Sequence, residues 1–193
     1  MHRQHLLFYG LLVLVSILVV TVYAKSWGPL RQISGAGNIN SANNMLSESK
    51  SPAAPEFADG TWINSEPLTV KRLRGRVVLI EFWTFGCYNC RNTLPSVKDW
   101  DTKYRDRGLT IVGIHTPETD SEYSPDNVRK EVAALGIKYP VVTDNNYQTW
   151  KAYGVEAWPT IIVLDKQGRL RWVHVGEGRY EETENVIKTL LAE

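Results

Sequence analysis

The sequence holds only two cysteines, and they stand one helical turn apart in Cys87-Tyr-Asn-Cys90. Directly ahead of them lies Arg76-Val-Val-Leu-Ile-Glu-Phe-Trp83, bounded by Gly75 and Gly86. Its shortness and β-branched content predict a buried strand. Behind the pair, Leu94, Val97, Trp100 and Tyr104 recur at helical spacing, which predicts a helix over 87–107 that Pro95 should kink. The cysteines thus fall where a strand turns into a helix. The first turn of a helix offers unpaired N–H groups and the positive end of the helix dipole. Both favour a thiolate, most strongly at the first cysteine. Cys87 is therefore the expected nucleophile, and Cys90, one turn inward, the thiol that resolves a mixed disulfide. A C-x-x-C pair is also compatible with half of a zinc site or with an inert structural pair. Two cysteines are too few for a disulfide-stapled scaffold or a four-cysteine metal cluster.

Further along, Leu109 to His115 reads as a second buried strand. Ser124 is the expected cap of a helix with Pro125 at its first position and Gly136 just past its end. Tyr139 to Thr143 predicts a short strand, and Tyr147 to Tyr153 a short helix stopped by Gly154. The runs 161–164 and 170–175 flank Asp165-Lys-Gln-Gly168, the signature of a hairpin. A helix over 181–191 closes the chain. Strands alternating with helices indicate an α/β, mixed-sheet sandwich. A content of 43% hydrophobic and 22% charged residues fits a globular domain and excludes a wholly disordered chain. A formal net charge of +1 gives no electrostatic reason to expect nucleic acid as a partner.

The chain divides into three parts. Leu6 to Ala24 carries no charged residue and is long enough to cross a membrane as a helix. It is read as an uncleaved, single-pass anchor over 1–24, with a secretory signal cut after Val22-Tyr23-Ala24 as the other reading. Either places the rest outside the cytoplasm. Residues 25–56 include Ser34-Gly-Ala-Gly-Asn-Ile-Asn-Ser-Ala-Asn-Asn44 and Ser51-Pro-Ala-Ala-Pro55. With so little apolar surface to offset ordering entropy, the stretch is read as a flexible tether. Residues 57–193 form the domain.

Glu81-Phe-Trp-Thr-Phe-Gly-Cys-Tyr-Asn-Cys90, followed by Pro95, resembles the active-site region of thioredoxin-fold proteins, and Trp158-Pro159-Thr160 resembles their cis-proline element. The resemblance spans essentially all of 57–193. Leu68 to Gly75 and the helical insertion near 124–136 are most similar to the membrane-tethered TlpA-like group. Gly113-Ile-His-Thr-Pro-Glu118, Tyr139-Pro140 and Gly176-Glu-Gly178 resemble the thioredoxin-like domain of DipZ-type proteins. The resemblance implies a thioredoxin-like three-layer sandwich with an N-terminal extension, acting as a thiol–disulfide oxidoreductase with no cofactor beyond its own disulfide. It implies disulfide-containing substrate proteins, possible targets including apocytochromes before haem attachment. DipZ-type proteins carry a multi-span electron-transfer module that this chain lacks, so the expected donor is a CcdA/DsbD-type membrane carrier acting in trans, with the domain facing the periplasm or a similar space.

The same resemblance assigns roles. Cys87 and Cys90 form the redox disulfide. Glu81 is the acidic residue that exchanges the proton of Cys90; in an apolar strand its pKa should rise toward neutral. Trp158, Pro159 and Thr160 present backbone to an extended substrate. Tyr88, Asn89 and Trp83 tune the pair. His115 and His174 are read first as structural. Two departures from familiar thioredoxins stand out: no proline separates the cysteines, and a tryptophan precedes Pro159. A copper-assembly protein on the same fold would use two cysteines and a histidine such as His174, but with wider cysteine spacing. A thiol peroxidase would need a peroxide-activating environment not evident here. No metal is expected.

Overall fold

The computed structural model describes residues 45–193. The expected anchor over 6–24 and most of the expected tether lie outside the described residues. Among the described residues no helix is long and apolar enough to cross a membrane.

Among the described residues six strands form one sheet: β1 (Trp62–Ile63), β2 (Val77–Trp83), β3 (Leu109–His115), β4 (Val141–Thr143), β5 (Thr160–Leu164) and β6 (Leu170–Val175). Their order is β1-β4-β3-β2-β5-β6. Strands β2, β3 and β4 run parallel, while β1, β5 and β6 pair antiparallel with their neighbours. The helices are α1 (Tyr88–Tyr104), α2 (Pro125–Ala134), α3 (Gln148–Ala152) and α4 (Tyr180–Ala192).

Every residue of β2 is buried, as expected for a central strand covered on both faces. The period-two alternation of a strand then sorts its side chains. Val77, Leu79 and Trp83 enter a core shared with Leu94, Val97 and Trp100 of α1, Val128 and Val132 of α2, and Ile187 and Leu190 of α4. Val78, Ile80 and Phe82 enter a second core with Tyr153, Val155, Val70 and Leu73. The two cores separate three layers, the sheet and the elements packed on each of its faces. Ser124 caps α2 by accepting from the N–H of Asn127, and Pro125 sits in its first turn. Pro95 lies inside α1 without ending it.

The reading of 25–56 as a tether fails for its last part, because residues 45–56 pack on the domain. Strand β6 is the sheet edge, and its outward N–H and C=O groups need partners. The chain supplies them: the N–H of Leu46 donates to the carbonyl of Arg171 at 2.8 Å, and that of Leu170 to the carbonyl of Pro52 at 2.9 Å. Met45 and Ala54 pack on the two cores. The buried Arg171 guanidinium ties this segment to the C-terminal end of α4, donating to the Leu46 carbonyl at 2.9 Å and to the Glu193 carboxylate at 2.9 Å. Low hydrophobicity hid this attachment because it is made of backbone hydrogen bonds.

Candidate active site

Strand β2 and helix α1 are joined by Thr84-Phe85-Gly86-Cys87, so the cysteines sit at the C-terminal end of the central strand. Cys87 is the N-cap of α1, and its sulfur accepts from the N–H of Cys90 at 3.3 Å. Cys87 is partly exposed, Cys90 is fully buried, and both thiols are free. Burial first, and then its hydrogen bond to the Cys87 sulfur, push the Cys90 thiol far up. The outer sulfur is therefore the one a substrate can reach. The inner one stays protonated until something removes its proton.

Glu81 supplies a group for that. It is fully buried in β2 and faces the same core as Cys90. Desolvation raises its pKa to about 7, against the opposing effect of the Tyr139 hydroxyl, which donates to Oε2 at 2.8 Å. A carboxyl that favours its protonated form when folded costs stability as pH rises from about 4.5 to about 7. Replacing Glu81 by glutamine removes that cost. The stability advantage of Glu81→Gln over the parent should therefore grow by roughly 3 kcal/mol between pH 4.5 and pH 8. Denaturant titrations at the two pH values check this; an advantage that does not grow with pH would contradict the buried, near-neutral carboxyl.

The third element is 158–160. Thr160 pairs with Phe82 and Ile161 with Glu81. This register brings the start of β5 to the end of β2 from which the cysteine loop leaves. The Trp158–Pro159 peptide is cis. Pro159 is buried and its carbonyl accepts from Gly176 at 2.8 Å. Thr160 donates from its hydroxyl to Ala157 at 2.7 Å. Trp158 is half-buried, with its ring 4.4 Å from that of Trp150. Tyr88 is 76% exposed and Asn89 is also exposed, so the two residues between the cysteines face outward. Trp83 is fully buried, edge-on to His115 with ring centroids 5.3 Å apart.

His115 is buried beside the site. Its Nε2 lies 3.3 Å from the Thr84 hydroxyl, and its ring stacks on Phe85. Desolvation lowers its pKa to about 4, so it stays neutral at ordinary pH. His174 lies in β6 and is half-buried. Among the described residues no set of three or more His, Cys, Asp or Glu side chains comes together as metal ligands, so His174 does not join the cysteines in one.

Sequence reasoning missed Glu122. This buried carboxylate reaches from the insertion to the cysteine loop. It accepts from the N–H of Gly86 at 2.8 Å, of Glu118 at 2.7 Å and of Thr119 at 2.9 Å. Burial pushes its carboxyl up, but hydrogen bonds from Thr84, Glu118, Thr119 and Gly86 outweigh that and hold it below the usual carboxylate range. A Cβ at Gly86 would lie 2.6 Å from Glu122 Oε1, so only glycine allows the approach. Arg91 of α1 adds a second brace, donating to the Phe85 carbonyl at 2.7 Å while pairing with Glu131 of α2. The Thr119-x-x-Glu122 spacing is a capping-box pattern and was the available signal. The two buried glutamates are thus pushed apart: Glu122 is held charged and Glu81 is held near neutrality.

The family model described as Redoxin matches residues 49–191. The chain belongs to the Redoxin family. It is 40% identical over 172 residues to Protein DipZ of Mycobacterium tuberculosis, a match that covers 83% of this chain and 25% of that protein. The chain therefore spans about a quarter of that relative's length. It is 28% identical over 140 residues to the thiol-disulfide oxidoreductase YkuV of Bacillus subtilis, covering 72% of this chain and 94% of the relative. A solved structure of a thiol-disulfide isomerase from Corynebacterium glutamicum aligns with a TM-score of 0.64 at 28% identity, covering 72% of this chain and 97% of that one. The sheet order, the cysteine pair at the start of α1 and these relatives make residues 45–193 of this Redoxin-family chain a thiol–disulfide oxidoreductase domain of thioredoxin fold.

Proposed function

We propose that the protein is a membrane-tethered, extracytoplasmic reductant of protein disulfides. The observation that carries the chemistry is the asymmetry of the pair: a reachable Cys87 sulfur at the helix start and a buried Cys90 in the same core as Glu81. The Cys87 thiolate attacks one sulfur of a substrate disulfide. A mixed disulfide forms and the other substrate sulfur leaves as a thiolate. Glu81 takes the proton of Cys90, and the Cys90 thiolate then attacks Cys87. The Cys87–Cys90 disulfide forms and the second substrate thiolate is released. The domain is oxidised by two electrons and the substrate is reduced by two. Trp158, Pro159 and Thr160, at the end of β2 from which the cysteine loop leaves, offer backbone to an extended substrate segment, while Tyr88, Asn89 and Trp83 tune the pair.

The location rests on the uncharged run from Leu6 to Ala24, which would hold the domain on the outer face of the membrane. A CcdA/DsbD-type carrier in trans would restore the dithiol, and apocytochrome cysteines awaiting haem are a fitting substrate class. Two measurements test the reading together. Reduced full-length chain should reduce insulin, and protease added to spheroplasts, whose cytoplasmic membrane is intact, should digest the domain. Failure to reduce insulin would overturn the activity; full protection from protease would overturn the location.

A further inference from the structure

Tyr139 has no part in the chemistry above, yet it is buried and its hydroxyl donates to Glu81. Several features conspire to put it there. In the sheet register Gly113 of β3 lies directly beside Glu81. A Cβ at Gly113 would come within 2.9 Å of Trp83 Nε1 and 3.3 Å of the Tyr139 ring. The bare glycine is what lets the tyrosine reach across. The backbone around Tyr139 is pinned as well. Asn64, itself at a positive φ of 66°, donates from its amide to the carbonyls of Ile137 at 3.0 Å and Tyr139 at 3.1 Å. The next carbonyl, that of Pro140, accepts from Gly113 at 2.9 Å. Glu81 Oε1 has no hydrogen-bond partner, so among the described residues the phenol is the donor the carboxyl has.

We propose that Tyr139 is the positioning residue that sets when Glu81 carries its proton, and so the pH at which Cys90 can be deprotonated. The inference deepens the proton-transfer role given to Glu81 and rests on it. A phenol donating to a carboxyl favours the charged, proton-accepting form. Against it stand burial and the like charge of a Cys90 thiolate. The other titratable groups on this face do not replace it. Asp101 of α1 is bonded to Arg105 at 3.2 Å. His115 of β3 is held neutral, and His174 of β6 sits across β5 from Glu81 with its pKa lowered by burial.

The test is an isotope-edited infrared titration of the Glu81 carboxyl in the full-length chain, with single-turnover insulin reduction followed over the same pH range. Tyr139→Phe should move the carboxyl midpoint up by about one pH unit. The reduction profile should shift with it, lowering the rate near neutral pH by up to roughly tenfold. In a Glu81→Gln background, Tyr139→Phe should change the profile no further. Incorporating 3-fluorotyrosine in place of Tyr139 keeps the shape, strengthens the donor and should move the midpoint down, which serves if the phenylalanine variant does not fold. A midpoint unmoved by both changes, or an effect of Tyr139→Phe that persists in the Glu81→Gln background, would overturn the proposal. Loss of insulin reduction by the parent chain would instead strike the activity, and the infrared titration would still decide on Tyr139.

Discussion

Cys87→Ser should lower disulfide-reducing turnover by a factor on the order of 10³ or more, because a hydroxyl at this position does not form the mixed disulfide. Cys90→Ser should fail differently. Cys87 is partly exposed and keeps its position as N-cap, so attack proceeds, but nothing resolves the product. Substrate should remain covalently attached to Cys87 and be released by added dithiothreitol. Insulin reduction compares the rates, and mass spectrometry under non-reducing conditions identifies the adduct. The asymmetry follows from burial alone: the fully buried Cys90 sulfur is reachable only by its neighbour. Insulin reduction by Cys87→Ser at the parent rate would contradict the assignment of roles.

Glu122→Ala should be among the most destabilising substitutions in the domain, costing about 4 kcal/mol. The carboxylate accepts from three backbone N–H groups and from Thr84, and truncation leaves those donors facing a void. One of them is Gly86, the residue immediately before Cys87. The activity of the folded fraction should therefore fall as well, because the loop carrying the nucleophile loses its anchor. Glu122→Gln keeps one acceptor oxygen and should lie between the two. Denaturant unfolding of the parent and both variants measures the cost. A loss below 1 kcal/mol for Glu122→Ala would show that water replaces the carboxylate and that the brace is unimportant. The pH sign is fixed by the lowered pKa: the brace is present above the ordinary carboxylate range and weakens only as pH falls through the folded value.

Local features were readable and non-local ones were not. The strand, the cysteines and the start of α1 are adjacent in sequence, so apolar patterning and N-terminal signals place them. The Ser124-Pro125 start of α2 and the 160–175 hairpin were legible for the same reason. Glu81 stood out because a charged residue inside an apolar strand is anomalous on its own. Tyr139 has no such mark, and the Thr119-x-x-Glu122 spacing marks a helix cap but not the reach to the cysteine loop. Each matters through contacts across a long stretch of chain, Tyr139 with Glu81 and Glu122 with Gly86 and Thr84. Both residues depend on a glycine whose missing side chain makes room. The misread segment 45–56 teaches the converse. Its polar, proline-containing sequence has little to bury, but an unpaired sheet edge holds it through main-chain groups that composition does not register.

The pair's geometry fits thiol–disulfide exchange in either direction, so the claim that this chain is a reductant is tested most directly by the reduction potential of Cys87–Cys90 at pH 7. Equilibration of the full-length chain with dithiothreitol or glutathione buffers, read out by thiol alkylation, gives that value. The account predicts a two-electron transition near or below the ~−270 mV of thioredoxin. A value near ~−120 mV, that of a strong disulfide donor, would contradict it.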